Sequence, residues 1–101
     1  MSKKNKNSGK TGNPVSESGH ATIDFPQVGE LVYSGHYAVR ISAPECGGVE
    51  LSLDGGRWQE CRNEAGYWWF DLQGLSAGAH NIAARISGGG APISRRDFVA
   101  G

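Results

Sequence analysis

The chain has 101 residues, in which ten Lys and Arg balance ten Asp and Glu, with three histidines, two cysteines and nine per cent aromatic residues. This is material for one domain with a small core. It contains no run of about 18 apolar residues, so no transmembrane helix is encoded.

The zero net charge hides an asymmetry. Residues 1–20 carry four Lys against Glu17, a balance of +3, and residues 21–101 carry six Arg against nine acids, a balance of −3. Asn, Ser, Gly and Lys dominate the first twenty positions, which read as a disordered basic tail ahead of a domain over 21–101. No apolar h-region follows the lysines, so the tail is not an intact secretory signal. The domain has no Lys and its Arg are scattered, which argues against nucleic acid as a partner.

In chain order, Thr22-Ile23-Asp24-Phe25 alternates, with Ile23 and Phe25 expected on one face, until Pro26 bends or ends the strand. Val28 to Tyr33 resumes as an edge segment. His36 to Ser42 puts Tyr37, Val39 and Ile41 on one face and Ala38, Arg40 and Ser42 on the other, the period of a half-covered strand. After Pro44 and Gly47-Gly48, the apolar positions of the next strand are Val49, Leu51 and Leu53.

Gly55-Gly56 is expected to supply the positive φ angles of a type I′ turn, with a return strand over Arg57–Arg62. That turn sets Trp58 beside Leu53 and inward, whereas a one-residue bulge would turn it out. A loop, Asn63 to Gly66, leads to an aromatic strand with Trp68, Phe70 and Leu72 on one face and Tyr67, Trp69 and Asp71 on the other. A corner over Leu75–His80 precedes a strand with Ile82, Ala84 and Ile86 inward. Beyond Gly88-Gly89-Gly90, residues 93–100 form a last strand around Phe98. About seven short strands separated by turn residues, with no helical period, predict an all-β antiparallel sandwich.

The run from Val49 to Trp58 with its Asp54-Gly55-Gly56 turn, then Gly66 to Leu72, then Leu75, Gly78 and His80, resembles the early-set and bacterial Ig-like sandwich domains. It is similar over the same stretch to the dimerisation domain of molybdenum-dependent sulfite-oxidising enzymes. The resemblance spans residues 28–100 and implies an Ig-like, non-catalytic module of the kind appended to an enzyme or surface protein. The chain leaves no room for a molybdenum-binding domain.

The residues offer little for catalysis. There is no Gly-x-Ser-x-Gly elbow, phosphate loop or His-Glu-x-x-His pattern. His20 lies in the tail, while His36 and His80 are expected at a strand start and a corner, the latter bonding backbone. Asp54, Glu60 and Asp71 read as solvated acids, and no cofactor or metal is expected, since no Cys-x-x-Cys spacing exists. Cys46 and Cys61 are open to two readings, a disulfide brought together by Gly47-Gly48 or two free thiols. A bridge would place the protein outside the cytoplasm, and free thiols inside it.

The remaining signal is aromatic. With Trp68, Phe70 and Leu72 inward, Tyr67 and Trp69 face out and Trp58 is a candidate to join them. Two functions follow: a module for protein interaction or assembly, with a partner protein, a neighbouring domain of its parent chain or an identical copy; or a carbohydrate-binding module stacking sugars on Trp58, Tyr67 and Trp69, with Asp71, Gln59 or Glu60 bonding hydroxyls. The alternative to both is that the stems of Arg40 or Arg85, or the N-terminal segment, cover Trp69.

Overall fold

A computed structural model describes residues 19–88 and 90–101. The expected basic tail therefore lies, up to residue 18, outside the described residues. Nine strands form: Thr22–Phe25 (β1), Leu31–Val32 (β2), His36–Ser42 (β3), Val49–Leu53 (β4), Gln59–Glu60 (β5), Arg62–Glu64 (β6), Tyr67–Gln73 (β7), Gly78–Ile86 (β8) and Ser94–Ala100 (β9). They build two packed sheets, one ordered β1-β3-β7-β6 and the other β2-β9-β8-β4-β5. The fold is an all-β sandwich, and no helix occurs among the described residues.

Alternation explains the core. Val39 and Ile41 of β3 and Leu72 of β7 meet Val49 and Leu51 of β4, Ile82 and Ala84 of β8, and Phe98 and Ala100 of β9, all nearly inaccessible to water. Each inward residue is followed by an outward one, so two half-apolar sheets close over a single apolar layer. Trp68 and Phe70 pack against this layer from β7 but stay half-buried.

Four local expectations change. First, nine strands replace about seven, because the edge segment forms a strand of its own at Leu31–Val32 and the expected return strand divides: Gln59–Glu60 pairs with β4 in one sheet, whereas Arg62–Glu64 pairs with β7 in the other. Cys61 is the crossing point. Second, the sandwich is not wholly antiparallel, since β2 runs parallel to β9 with Leu31 beside Val99 and Val32 beside Ala100.

Third, the β4–β5 turn is centred on Asp54 and Gly55, at φ 51° and 74°, and closed by the Gly56 N–H donating to the Leu53 carbonyl at 2.8 Å. Asp tolerates this left-handed conformation better than most residues. The ladder then pairs Leu51 with Gln59 and Glu50 with Glu60, so the return strand has gained a residue and Trp58 faces out rather than in. Fourth, a register shift between Ile23 and Phe25 sets Phe25 opposite Arg40. Ile23 is buried, but Phe25 turns to the outer face, as a bulge next to a proline requires.

The expected loop at residues 63–66 is a hairpin, with Glu64 opposite Tyr67 across Ala65 and Gly66 at φ 54° and 84°. Ala65 has neither the permissiveness of Gly nor the side-chain bonds of Asn at a position that needs them. Ala65→Gly is therefore expected to stabilise the domain by about 0.5–1 kcal/mol in urea unfolding. A loss of stability would show that the positive φ carries no strain.

Candidate functional site

The outer face of β1-β3-β7-β6 carries the expected aromatic pair. Tyr67 and Trp69 project from β7 on the side opposite the core, their ring centroids 6.1 Å apart and their planes at 79°. Arg40, opposite Trp69 on β3, lays its guanidinium over the Tyr67 ring at 4.2 Å and over Phe25 at 4.8 Å. Asp24 holds that guanidinium through Nε at 3.3 Å, and Ser42 donates to the same carboxylate. The Trp69 indole donates to the Glu64 carbonyl at 3.0 Å. Both rings are half-buried and fixed edge to face, with one of them capped by a cation.

Asp71, two residues on, lies between β3 and β6. It accepts from His36 Nε2 at 3.2 Å and from Arg62 Nη1. The bond from Arg62, opposed by partial burial and helped by His36, holds its carboxyl below the ordinary value of 3.8. Asp71 shares a shallow depression of about 220 Å³ with Glu60, Arg62, Trp69 and Phe70, while Asp54 lies in the β4–β5 turn. Its two partners, His36 and Arg62, already use the acceptor sites that a sugar hydroxyl would need.

Trp58 does not join this group. It stands on the outer face of the other sheet, where Arg85 stacks over its ring at 4.0 Å and Glu50 binds the same guanidinium at 2.8 Å. Nearby Ser52 and Ala83 form an outward cross-strand pair, yet each is only 5% exposed. Each aromatic cluster is thus capped by an arginine that a carboxylate orients.

No protein-family model matches the chain, and no curated protein matches it in sequence. The site must be read from its own chemistry.

His80 is enclosed at the corner, its side chain 9% exposed and stacked on Phe98 with centroids 5.7 Å apart. Nδ1 donates to Asp54 Oδ2 at 2.6 Å and Nε2 donates to the Ser76 carbonyl at 2.7 Å. Both ring nitrogens therefore face acceptors, which the doubly protonated imidazolium satisfies. The Ser76 carbonyl and then Asp54 raise the His80 pKa above 6.5, with burial opposing. For Asp54, burial favours the neutral acid, but the Asn81 N–H and His80 outweigh it and hold the carboxyl below 3.8. These groups staple the β4–β5 turn to the β7–β8 corner.

Both cysteines are free thiols, half-buried at the core's margin. Cys46 Sγ donates to the Gly48 carbonyl at 3.6 Å, and the Cys61 N–H donates to the Val49 carbonyl at 2.9 Å. Burial, and secondarily the Glu50 charge, push the Cys61 thiol up to about 12. Native Cys61 is expected to react with iodoacetamide at pH 8 at least about tenfold more slowly than in unfolded chain, because the thiolate is the nucleophile. Equal rates by mass spectrometry would contradict that environment. Among the described residues, no three His, Cys, Asp or Glu converge where a metal ion could be held.

The most exposed large apolar side chains lie elsewhere. Val28, Leu31 and Tyr33 are 78%, 69% and 73% exposed at the β2 edge, and Val99 beside Leu31 is 38% exposed. The Tyr33 ring lies over Gly35, where an added Cβ would come within 2.5 Å of a ring carbon. Next to this patch runs a groove of about 370 Å³ lined by Gly29, Ala79, His80, Asn81, Asp97, Phe98 and Val99. The sequence signal was present in the i, i+2 spacing of Leu31 and Tyr33 with no charge between them. It could not be weighed until β2 proved to be a sheet edge.

Proposed function

We propose that the chain is a non-catalytic Ig-like module that binds another protein through the edge formed by Val28, Leu31, Tyr33 and Val99. The observation that carries this reading is the concentration of exposed apolar side chains there, with a tyrosine among them. Such a patch suits a protein interface, where tyrosine anchors contribute most. The strand order supports the Ig-like assignment: β1-β3-β7-β6 corresponds to an A-B-E-D sheet, and β9-β8-β4-β5 to G-F-C with an added strand.

The non-catalytic part of the reading is supported by the use of His36 and His80 in structural bonds, His36 to Asp71 and His80 to Asp54 and Ser76. A carbohydrate platform draws less support. Tyr67 and Trp69 are nearly perpendicular, Arg40 covers Tyr67, and Trp58 lies on the opposite face.

Photo-crosslinking tests the reading. With p-benzoylphenylalanine in place of Tyr33, a defined protein adduct is expected that disappears when Leu31→Glu is added; the same probe in place of Trp69 should give none. No adduct from position 33, or equal adducts from both positions, would sink the proposal.

A further inference from the structure

The edges of the two sheets differ in how they are finished. The β5 edge exposes Gln59 and Glu60, and the β6 edge exposes Arg62, Asn63 and Glu64; polar and charged side chains of this kind discourage pairing with another chain. The β1 segment is stitched to β9 of the other sheet, where Ser94 Oγ donates to the Ala21 carbonyl and Arg96 Nη1 donates to the Pro26 carbonyl at 2.9 Å. Only at β2, among the described residues, do apolar side chains flank an edge that neither device protects.

The backbone of β2 is half used. The Glu30 and Val32 carbonyls accept from the N–H groups of Val99 and Gly101, and the Ser34 N–H donates to the Gly101 carbonyl. Successive residues of a strand direct their backbone groups to opposite sides. The N–H and C=O of Leu31 and Tyr33 therefore point away from β9, into the open edge.

The face above this edge also has a chemical pattern. A strand added beyond β2 would continue the row Leu31, Val99, Ala79, in which every member is apolar. One period further, the row passes Gly29 and reaches Asp97 opposite Asn81. Gly29 has no side chain, so the Asp97 carboxylate is open towards the edge along the groove they share. Among the described residues Asp97 has no ion-pair partner, and residues 21–101 carry a balance of −3.

We propose that the partner enters as an extended strand that pairs with the free backbone of Leu31 and Tyr33, placing an apolar residue beside Leu31 and a Lys or Arg two positions along to meet Asp97. Main-chain bonds give such a complex its affinity, and the alternating side chains give it its specificity. This inference rests on the protein-binding reading above and names the chemistry of the partner.

The probe is the acetylated, amidated hexapeptide Thr-Val-Thr-Lys-Thr-Val, titrated into the isotope-labelled full chain. Binding is expected to slow amide exchange of Leu31 and Tyr33 at least about tenfold. Asp97→Asn should weaken it about two- to fivefold, the scale of an exposed ion pair. Two further peptides carry N-methyl groups on alternate nitrogens, one set on the first, third and fifth residues and the other on the second, fourth and sixth. One should lose at least about tenfold in affinity and the other little, because only one set of N–H groups faces the domain. Equal behaviour of the two, unchanged exchange at Leu31 and Tyr33, or no binding at millimolar peptide would overturn the strand-addition mode. The Tyr33 crosslink does not depend on the partner's backbone. Adducts there without strand pairing would remove this mode alone, and their absence would remove the docking reading itself.

Discussion

Phe98→Ala is expected to destabilise the domain by about 3–5 kcal/mol, measured as the shift in urea unfolding at pH 7. Phe98 is 1% exposed at the centre of β9 and belongs to the apolar layer between the sheets. Its ring also supports His80. Neither sheet can collapse to refill the space, because both are held by their ladders, so the transfer loss and the cavity add. Domains of this size are stable by about 5–15 kcal/mol, and the variant is expected to sit close to its unfolding threshold. Phe98→Leu keeps most of the volume and should cost about 1–2 kcal/mol. A loss below about 1 kcal/mol for Phe98→Ala would show that the sandwich is not organised around this residue.

The second large effect concerns the staple of His80 and Asp54. The Asp54 carboxyl is lowered from 3.8, so its contribution is present above that value and is lost as pH falls through the folded pKa. His80 is raised from 6.5, so its contribution is complete below 6.5 and is lost as pH rises through the folded pKa above it. The pair therefore contributes most between these two ordinary values. Asp54→Asn removes the charge that holds the imidazolium, and it is expected to lower stability by about 1–2 kcal/mol at pH 5.5. That figure takes a charge-assisted bond and discounts it for the 42% exposure of the Asp54 side chain. The difference should narrow as pH rises through the raised His80 pKa, because the imidazolium that Asp54 holds is lost there. Unfolding curves that stay parallel from pH 5.5 to 9 would rule out the charged staple.

The same residues show what was legible beforehand. The two faces of β7 follow from strict alternation, and the structure divides Trp68, Phe70 and Leu72 from Tyr67, Trp69 and Asp71 as that period requires. Phe98 was likewise readable as core. His80 was readable as a corner residue bonding backbone, but its partner Asp54 was not, because 26 residues separate them and only sheet packing joins the two turns. The Trp58 side depended on where a turn falls by one residue. Leu53-Asp54-Gly55-Gly56 admits two turn centres, and a one-residue change reverses every side chain that follows.

Strand periodicity, turn composition and the absence of a helical period are local properties, and local steric rules are enough to determine an all-β sandwich and most of its core. Which strands become edges is not local. The sequence shows Leu31 and Tyr33 as ordinary apolar positions, and Arg40 and Arg85 as ordinary charges. Pairing β2 in parallel with β9 leaves the first two at an open edge, and placing Arg40 beside Tyr67 and Arg85 beside Trp58 closes the aromatic faces that looked open. Exposure depends on residues distant in the chain, and tertiary structure alone brings those together.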